Sequence, residues 1–290
     1  MTDAPLFNRI CVTPPYRAFH ALRYHGESTV SGFVHPESAL GREAGPICGG
    51  EAGRHLAILG SCAAALANAR PGKHYYLATE ALLQRELSPD DWPIPGEPML
   101  ALASCSHVGK REAKANAVME ARVGDGTRLA EVYTLHVRYN VVGEDVFLRL
   151  FRGRNSATPR SADNPYATIA TPALSVRTPT HAESELELVT PALCPGHFDG
   201  YPALPVAVVM QKLSGMATEL LANHPEFRVP RCVVQTAKVA ASNLAWAGDS
   251  VRYEMTFVER QGDDFLFHGG AQTAEGVDVG TMELGLRGVR

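Results

Sequence analysis

The chain has 290 residues, 45% of them hydrophobic and 20% charged, with a formal net charge of -4. That balance belongs to folded protein of one or two domains; it excludes a disordered tail or a fibre, and the absence of a basic stripe argues against a nucleic-acid binder. The N-terminus has no basic start followed by an apolar core, no long apolar run crosses the sequence, and six cysteines are scattered without a C-x-x-C pair, so the expectation is a cytoplasmic protein with no membrane segment, whose cysteines are mostly small buried hydrophobes.

In chain order, the first strong element is a helix over Glu51–Ala69, "EAGRHLAILGSCAAALANA", rich in small and apolar residues as a helix buried along most of its length would be. Strand periodicity follows in "AVMEARV", "LAEVYTLHVRY" and "DVFLRLF". The polar, Pro/Ser/Asn-rich segment from Arg152 to Ala167 then divides the chain, giving a first unit at 1–153, a linker at 154–166 and a second unit at 167–290. The second unit repeats the plan, with a helix over Pro205–Asn223 and strands in "SELELVT", "CVVQTAKVAASNLAW", "SVRYEMTFVER", "FLFHGGAQTA" and "VGTMELGLRG". Both helices end in Leu-Ala-Asn with a proline just beyond, Pro71 and Pro225. Laying "ALANARPGKHYYLATEALL" over "ELLANHPEFRVPRCVVQTAKV" aligns helix end, loop and next strand, an internal repeat of order rather than identity. A helix followed by antiparallel strands, used twice, predicts an α+β fold of two units in which each sheet wraps its own helix.

The segment "VTPALCPGHFDGYPALPVAVVM" resembles the active-site segment of the hot-dog-fold β-hydroxyacyl-ACP dehydratases, His-Phe-Pro-Gly-x-Pro-x-x-Pro-Gly ahead of a helix; His197, Phe198, Gly200, Pro202 and Pro205 stand at matching positions. The resemblance covers Glu185 to the C-terminus and implies a tandem double hot dog that needs no metal or redox cofactor. It further implies a dehydratase or hydratase of 3-hydroxyacyl thioesters, on acyl carrier protein or CoA, in fatty-acid or polyketide-type metabolism. His197 would take the α-proton, and the peptide N–H groups around Val206 would hold the thioester carbonyl beside Phe198, Gly200, Pro205 and Gln211. Three positions depart from the pattern: Asp199 replaces a proline, Val206 a glycine, and Gln211 the acid fourteen residues after the histidine. Glutamine donates a hydrogen bond but cannot deliver a proton as a carboxylic acid does.

In a double hot dog the missing acid would come from the other helix. Counting back from the shared Leu-Ala-Asn ending sets Gln211 opposite Leu56, beside His55 and little more than one turn after Glu51. Glu51 and His55 are four apart and project from one helix face, so the expectation is a composite site with His197 as base and His55, tuned by Glu51, or Glu51 itself as acid. The competing reading is a helix-start cap beside a satisfied histidine. The first-half counterpart of His197 falls near Gly41 or Arg42, where there is no histidine, leaving one site at most. Arg42, Arg54, Lys73 and Arg231 offer charge for a carrier phosphate.

Two rival functions stand beside dehydration. One is a thioesterase in which Glu51 or Asp199 activates water; the other is a non-catalytic acyl-binding or scaffold subunit, favoured by Gln211 and Val206. Hot dogs also pair through sheet edges, which leaves room for a homodimer. A zinc site from Cys48, Glu51 and His55 lacks the usual ligand spacing, "GGEAG" is not Gly-x-Gly-x-x-Gly, and no Gly-x-Ser-x-Gly elbow occurs; metal, dinucleotide and serine-hydrolase chemistry are not expected.

Overall fold

Along Glu112–Val123 buried and exposed residues alternate, with Ala113, Ala115, Ala117, Met119, Ala121 and Val123 turned inward, the two-residue period of a strand with one dry face. The computed structural model describes residues 4–88, 91, 93–156 and 164–289. The first half comprises α1 (Ala4–Phe7), β1 (His20–His25), β2 (Thr29–Val34), α2 (Gly49–Ala67), β3 (His74–Arg85), β4 (Met99–Val108), β5 (Glu112–Val123), β6 (Arg128–Gly143) and α3 (Glu144–Leu150). The second comprises β7 (Leu174–Arg177), β8 (His181–Ser184), β9 (Glu187–Leu188), β10 (Ala203–Leu204), α4 (Val206–Ala222), β11 (Cys232–Ala241), β12 (Ala245–Trp246), β13 (Ser250–Gln261), β14 (Asp264–Thr273) and β15 (Asp278–Gly288).

One antiparallel sheet runs through both halves in the order β1-β2-β4-β5-β6-β3-β11-β15-β14-β13-β8-β7, with β9 on β13 and β10–β12 as a separate pair. The seam between the halves is β3 against β11, paired over Glu80–Gln84 and Thr236–Ala240. Helix α2 packs on β2–β6 and α4 on β8, β11 and β13–β15, while the two helices touch each other. Each half therefore wraps its own helix, as the α+β double hot-dog expectation has it.

Small residues set how closely these layers approach. Ala52, Cys62, Ala63, Ala64 and Ala65 of α2 are buried against a sheet whose inner face carries Ala101, Ala103 and Ala115. Gly60 leaves room for the Tyr139 hydroxyl, which donates to the Ala57 carbonyl at 2.6 Å. Between the helices, a Cβ on Gly50 would lie 2.8 Å from the Gln211 Cβ, and toward the sheet one on Gly49 would lie 2.9 Å from Val234 of β11.

Two expectations change. The segment "DVFLRLF" is helical, not a strand: Glu144 and Asp145 favour its N-terminal turn, and only Phe147 is buried, stacked on Tyr75 at 3.5 Å. The linker expected at 154–166 falls partly outside the described residues, and its far end is docked: Ser38 Oγ donates to the Tyr166 carbonyl and the Tyr166 hydroxyl to that of Pro195. No helix among the described residues is long and apolar enough to cross a membrane.

The Gly50 contact makes a direct test. Gly50→Val should lower the free energy of unfolding in urea by about 1–3 kcal/mol, the usual cost of overfilling a packed contact.

Candidate active site

The loop ahead of α4 places His197 by a sequence of unusual backbone angles. Gly196 has φ 75°, Phe198 φ 61° and Gly200 φ 78°; a side chain at Gly196 would run into the Thr13 carbonyl. Thr13 N–H donates to the Gly196 carbonyl at 2.8 Å, and Val12 bridges His197, so the N-terminal segment straps the loop down. Phe198 is a non-glycine residue in the left-handed region, a strained arrangement held by its surroundings: its ring is buried against Tyr75 and Phe147.

The strap and loop together turn the imidazole inward. Its Nδ1 is 2.8 Å from the Ala203 carbonyl; a carbonyl only accepts, so Nδ1 carries the proton and Nε2 keeps its lone pair. Tyr16 lies edge-on to the ring at 4.9 Å and Phe198 stacks on it at 3.9 Å. Burial pushes the His197 pKa down to about 4, so at neutral pH this is a neutral imidazole with a free basic nitrogen.

His197 lines an outer cavity of about 1440 Å³, which adjoins an inner one of about 660 Å³ between the two long helices and the seam, open solvent being included in both volumes. Ala57, Ala78, Thr79, Val206, Ala207 and Ala241 line both, making one passage. Val206 and Ala207 open α4, and their N–H groups have no acceptor within the helix; the positive end of the helix dipole thus faces the junction. The start of α2 is different. There the Glu43 carboxylate accepts the Gly49 N–H at 2.7 Å and the Ser214 hydroxyl at 3.0 Å, so the protein fills that anion position itself. Burial raises the Glu43 pKa, against the pull of these two donors.

Of the expected site residues, the structure brings His197, Phe198 and Val206 to one cavity. Gly200 and Pro205 shape the loop and the helix cap without lining it. Gln211 faces the other helix, donating to Cys48 Sγ at 3.4 Å. Glu51 and His55 do meet, at 3.3 Å, but are fully buried away from His197. Contacts run from His197 to Tyr16, from Tyr16 to Arg54, and only then to that pair. The expected pairing with His197 is therefore corrected: the α2 residues that share its cavity are Ala57, Ile58 and Ser61. Helix counting fell short because the two helices pass at an offset that a repeat in sequence does not encode.

Glu51 is committed to structure. It accepts the Glu37 and Ser38 N–H groups at 2.7 and 3.1 Å; burial pushes its pKa up, but His55 and these amides outweigh that and hold it below the usual carboxylate range. Burial lowers the His55 pKa against the opposing pull of Glu51. Glu37, Glu51 and His55 have the spacing of a metal cluster, yet Arg54 Nη2 stands among them, 2.5 Å from Glu37 and 3.1 Å from His55, so a guanidinium supplies the positive charge there. Asp199 points to solvent, accepting from the Thr13 hydroxyl at 3.3 Å. Arg42, Arg54, Lys73 and Arg231 do not line the outer cavity. Its rim instead carries Arg154 and Asp249, paired at 3.0 Å, with Asp249 also accepting the Trp246 N–H. Tyr16 and Arg154 escaped sequence reading because neither belongs to a periodic segment or a motif.

No protein-family profile and no curated protein sequence matches the chain. Solved structures do. The chain is similar to an acyl-CoA thioesterase II from Mycobacterium marinum, 13% identical over 93% of this chain and 96% of that one, with a TM-score of 0.53. It is similar to an acyl-ACP thioesterase from Bacteroides thetaiotaomicron, 9% identical over 89% and 98%, TM-score 0.52. A protein with a hot dog fold from Alicyclobacillus acidocaldarius, 12% identical over 96% and 99%, has a TM-score of 0.51. The fold is the hot dog. The expected dehydratase activity is corrected: the named enzymes among these structures are thioesterases, and the acid expected from α2 does not line the cavity of His197.

The buried neutral imidazole has a consequence for stability. Its folded pKa of about 4 lies below the ordinary 6.5, so between these values the unfolded chain binds the extra proton and stability rises with pH. His197→Asn, which keeps a donor toward Ala203, should flatten that dependence: the wild type should lose up to ~3 kcal/mol relative to the variant between pH 6.5 and 4 in urea titrations.

Proposed function

We propose that the protein is an acyl-thioester hydrolase acting on a CoA or acyl-carrier-protein thioester, with His197 as general base. The observation that carries this reading is the composition of the cavity: a neutral histidine with a free Nε2 and an open helix N-terminus face Ala57, Ile58 and Ser61 of α2, while of the two carboxylates on the lining Asp249 is paired with Arg154 and Glu275 is exposed. Dehydration expels hydroxide, whose conjugate acid has a pKa near ~16, and needs an acid to do it. Thioester hydrolysis expels a thiolate of pKa about 8.5, which leaves without help.

In the proposed reaction a water held at His197 loses a proton to Nε2 as its oxygen bonds to the thioester carbon. The N–H groups of Val206 and Ala207 hold the carbonyl oxygen as charge builds on it. The C–S bond then breaks, the thiolate takes the proton back from the imidazolium, and free acid and thiol depart. The inner cavity, whose wall is mostly aliphatic, suits the acyl chain, and Arg154 at the rim suits a carrier phosphate. The rival carboxylate bases are poorly placed, since Glu51 is sealed among its donors and Asp199 faces solvent.

Free-thiol release from a panel of acyl-CoA and acyl-carrier thioesters tests this. His197→Asn should reduce kcat/KM by about 10²–10⁴-fold, the usual worth of a positioned base. Because the neutral form is the active one, kcat/KM of the free enzyme should hold from neutral pH downward and fall as pH drops through about 4. Equal release by wild type and variant would remove His197 from the chemistry; no release from any thioester would leave an acyl-binding protein.

A further inference from the structure

Four glycines in the long helices are there for close packing. A Cβ would come within 2.9 Å of Val234 at Gly49 and 2.8 Å of Gln211 at Gly50, and would crowd the Tyr139 hydroxyl at Gly60 and Thr171 at Gly215. Gly53 differs. Nothing lies within 4 Å of the place its Cβ would take, although the residue sits in the interior of α2 on the wall of the inner cavity. Glycine is the poorest helix former after proline, so a position that no neighbour forces to be glycine is accounted for by the space it leaves.

That space lies on the path of a chain entering from the junction. Ala57 lines both cavities, and Gly53, one turn earlier on the same face, lines the inner one alone with Met210 of α4. Along α2 the cavity runs from Ala57 past Gly53 and Gly50 to Gly49, and along the seam from Ala78 to Leu83; at helix and strand rises these runs span about 12 and 16 Å. Of the polar side chains on the wall, Thr79 bonds the Arg138 carbonyl, Glu80 pairs with Arg138 and Ser214 bonds Glu43, while Arg54 pairs with Glu37 through Nη2 and leaves Nε and Nη1 without a hydrogen-bond partner. Away from Arg54 a tail bearing charge or hydroxyl groups would lose water without gaining a partner.

We infer that Gly53 is a specificity-determining position: its bare backbone opens the passage from the carbonyl site into the inner cavity and selects an acyl chain long enough to pass it. The inference rests on the acyl-thioester reading above and predicts that side chains added at this position shorten the accepted chain in proportion to their size.

The test is the series Gly53→Ala, Gly53→Val and Gly53→Leu. Thermal midpoints are measured with kcat/KM on acyl-CoAs of four to sixteen carbons, and binding of free fatty acids of the same lengths is followed by displacement of a fluorescent fatty acid. Gly53→Ala should melt no lower than wild type, because its methyl meets nothing. The ratio of kcat/KM for the longest to the shortest substrate should fall at least tenfold in Gly53→Leu, with Gly53→Val between. An unchanged ratio in a folded Gly53→Leu overturns the inference, and if that variant does not fold, the Ala and Val variants carry the same comparison. Should wild type release no thiol, the hydrolase reading fails while Gly53 is still judged by binding. Long-chain affinity weakened at least tenfold in the larger variants upholds its role; equal affinity, or no fatty-acid binding by wild type, overturns it.

Discussion

Strands β3 and β11 pair antiparallel along Glu80–Gln84 and Thr236–Ala240, and this seam puts the two long helices on one face of one continuous sheet. Once there, α2 and α4 must cover each other's apolar sides, and Gly50 lets them approach at the α2 start, where Gly49 packs on Val234 of β11. The helices and seam strands enclose the inner cavity, which reaches that contact at Gly49 and Gly50. The passage is thus a product of the seam, running beside the helix contact with the open end of α4 at the junction. Changes that loosen the seam would disturb packing and site together, since the same side chains of β3 and β11 serve both.

The two halves repeat one plan, yet their helix starts differ. At α2 a buried carboxylate occupies the position where an oxyanion would sit, held by Gly49 N–H and Ser214. At α4 the equivalent N–H groups are open, and a histidine loop stands beside them. A carboxyl group already seated on these donors leaves no place for a second acceptor, so Glu43 closes the first position as effectively as the missing histidine does. In its place the first half contributes a wall: Ala57, Ile58 and Ser61 for the cavity, and the Glu51–Arg54–His55 cluster that ties the loop at Glu37 and Ser38 to the helix.

The helices and the long alternating strands were legible because their periodicity comes from the burial that holds them. Glu51–Ala69 and Pro205–Asn223 match helices at Gly49–Ala67 and Val206–Ala222, and the His197 turn carried its own glycine and proline signal. Strands β1, β4 and β7 left little trace: β1 is exposed over much of its length, β4 is built from small residues, and β7 is four residues long. At 145–151 an alternating pattern concealed a helix, because one ring, Phe147, supplies the anchor. The site's composite half was the least legible part. Which residues of one helix face a loop of the other half depends on the offset between helices, and that is set by tertiary contacts such as Gly50 on Gln211, not by any local pattern.

Burial gives His197 its character and also limits it. A dry pocket keeps the imidazole neutral across ordinary pH, but a base of pKa about 4 accepts a proton from water with difficulty. The same low dielectric that weakens the base strengthens the pull of the Val206 and Ala207 amides on a developing oxyanion. A reaction suited to this arrangement draws most of its stabilisation from the carbonyl end and asks little of the proton donor. Thioester cleavage has that profile: its carbonyl becomes the charged centre, its leaving group departs as a stable anion, and its apolar chain can displace water from a cavity whose wall is mostly aliphatic.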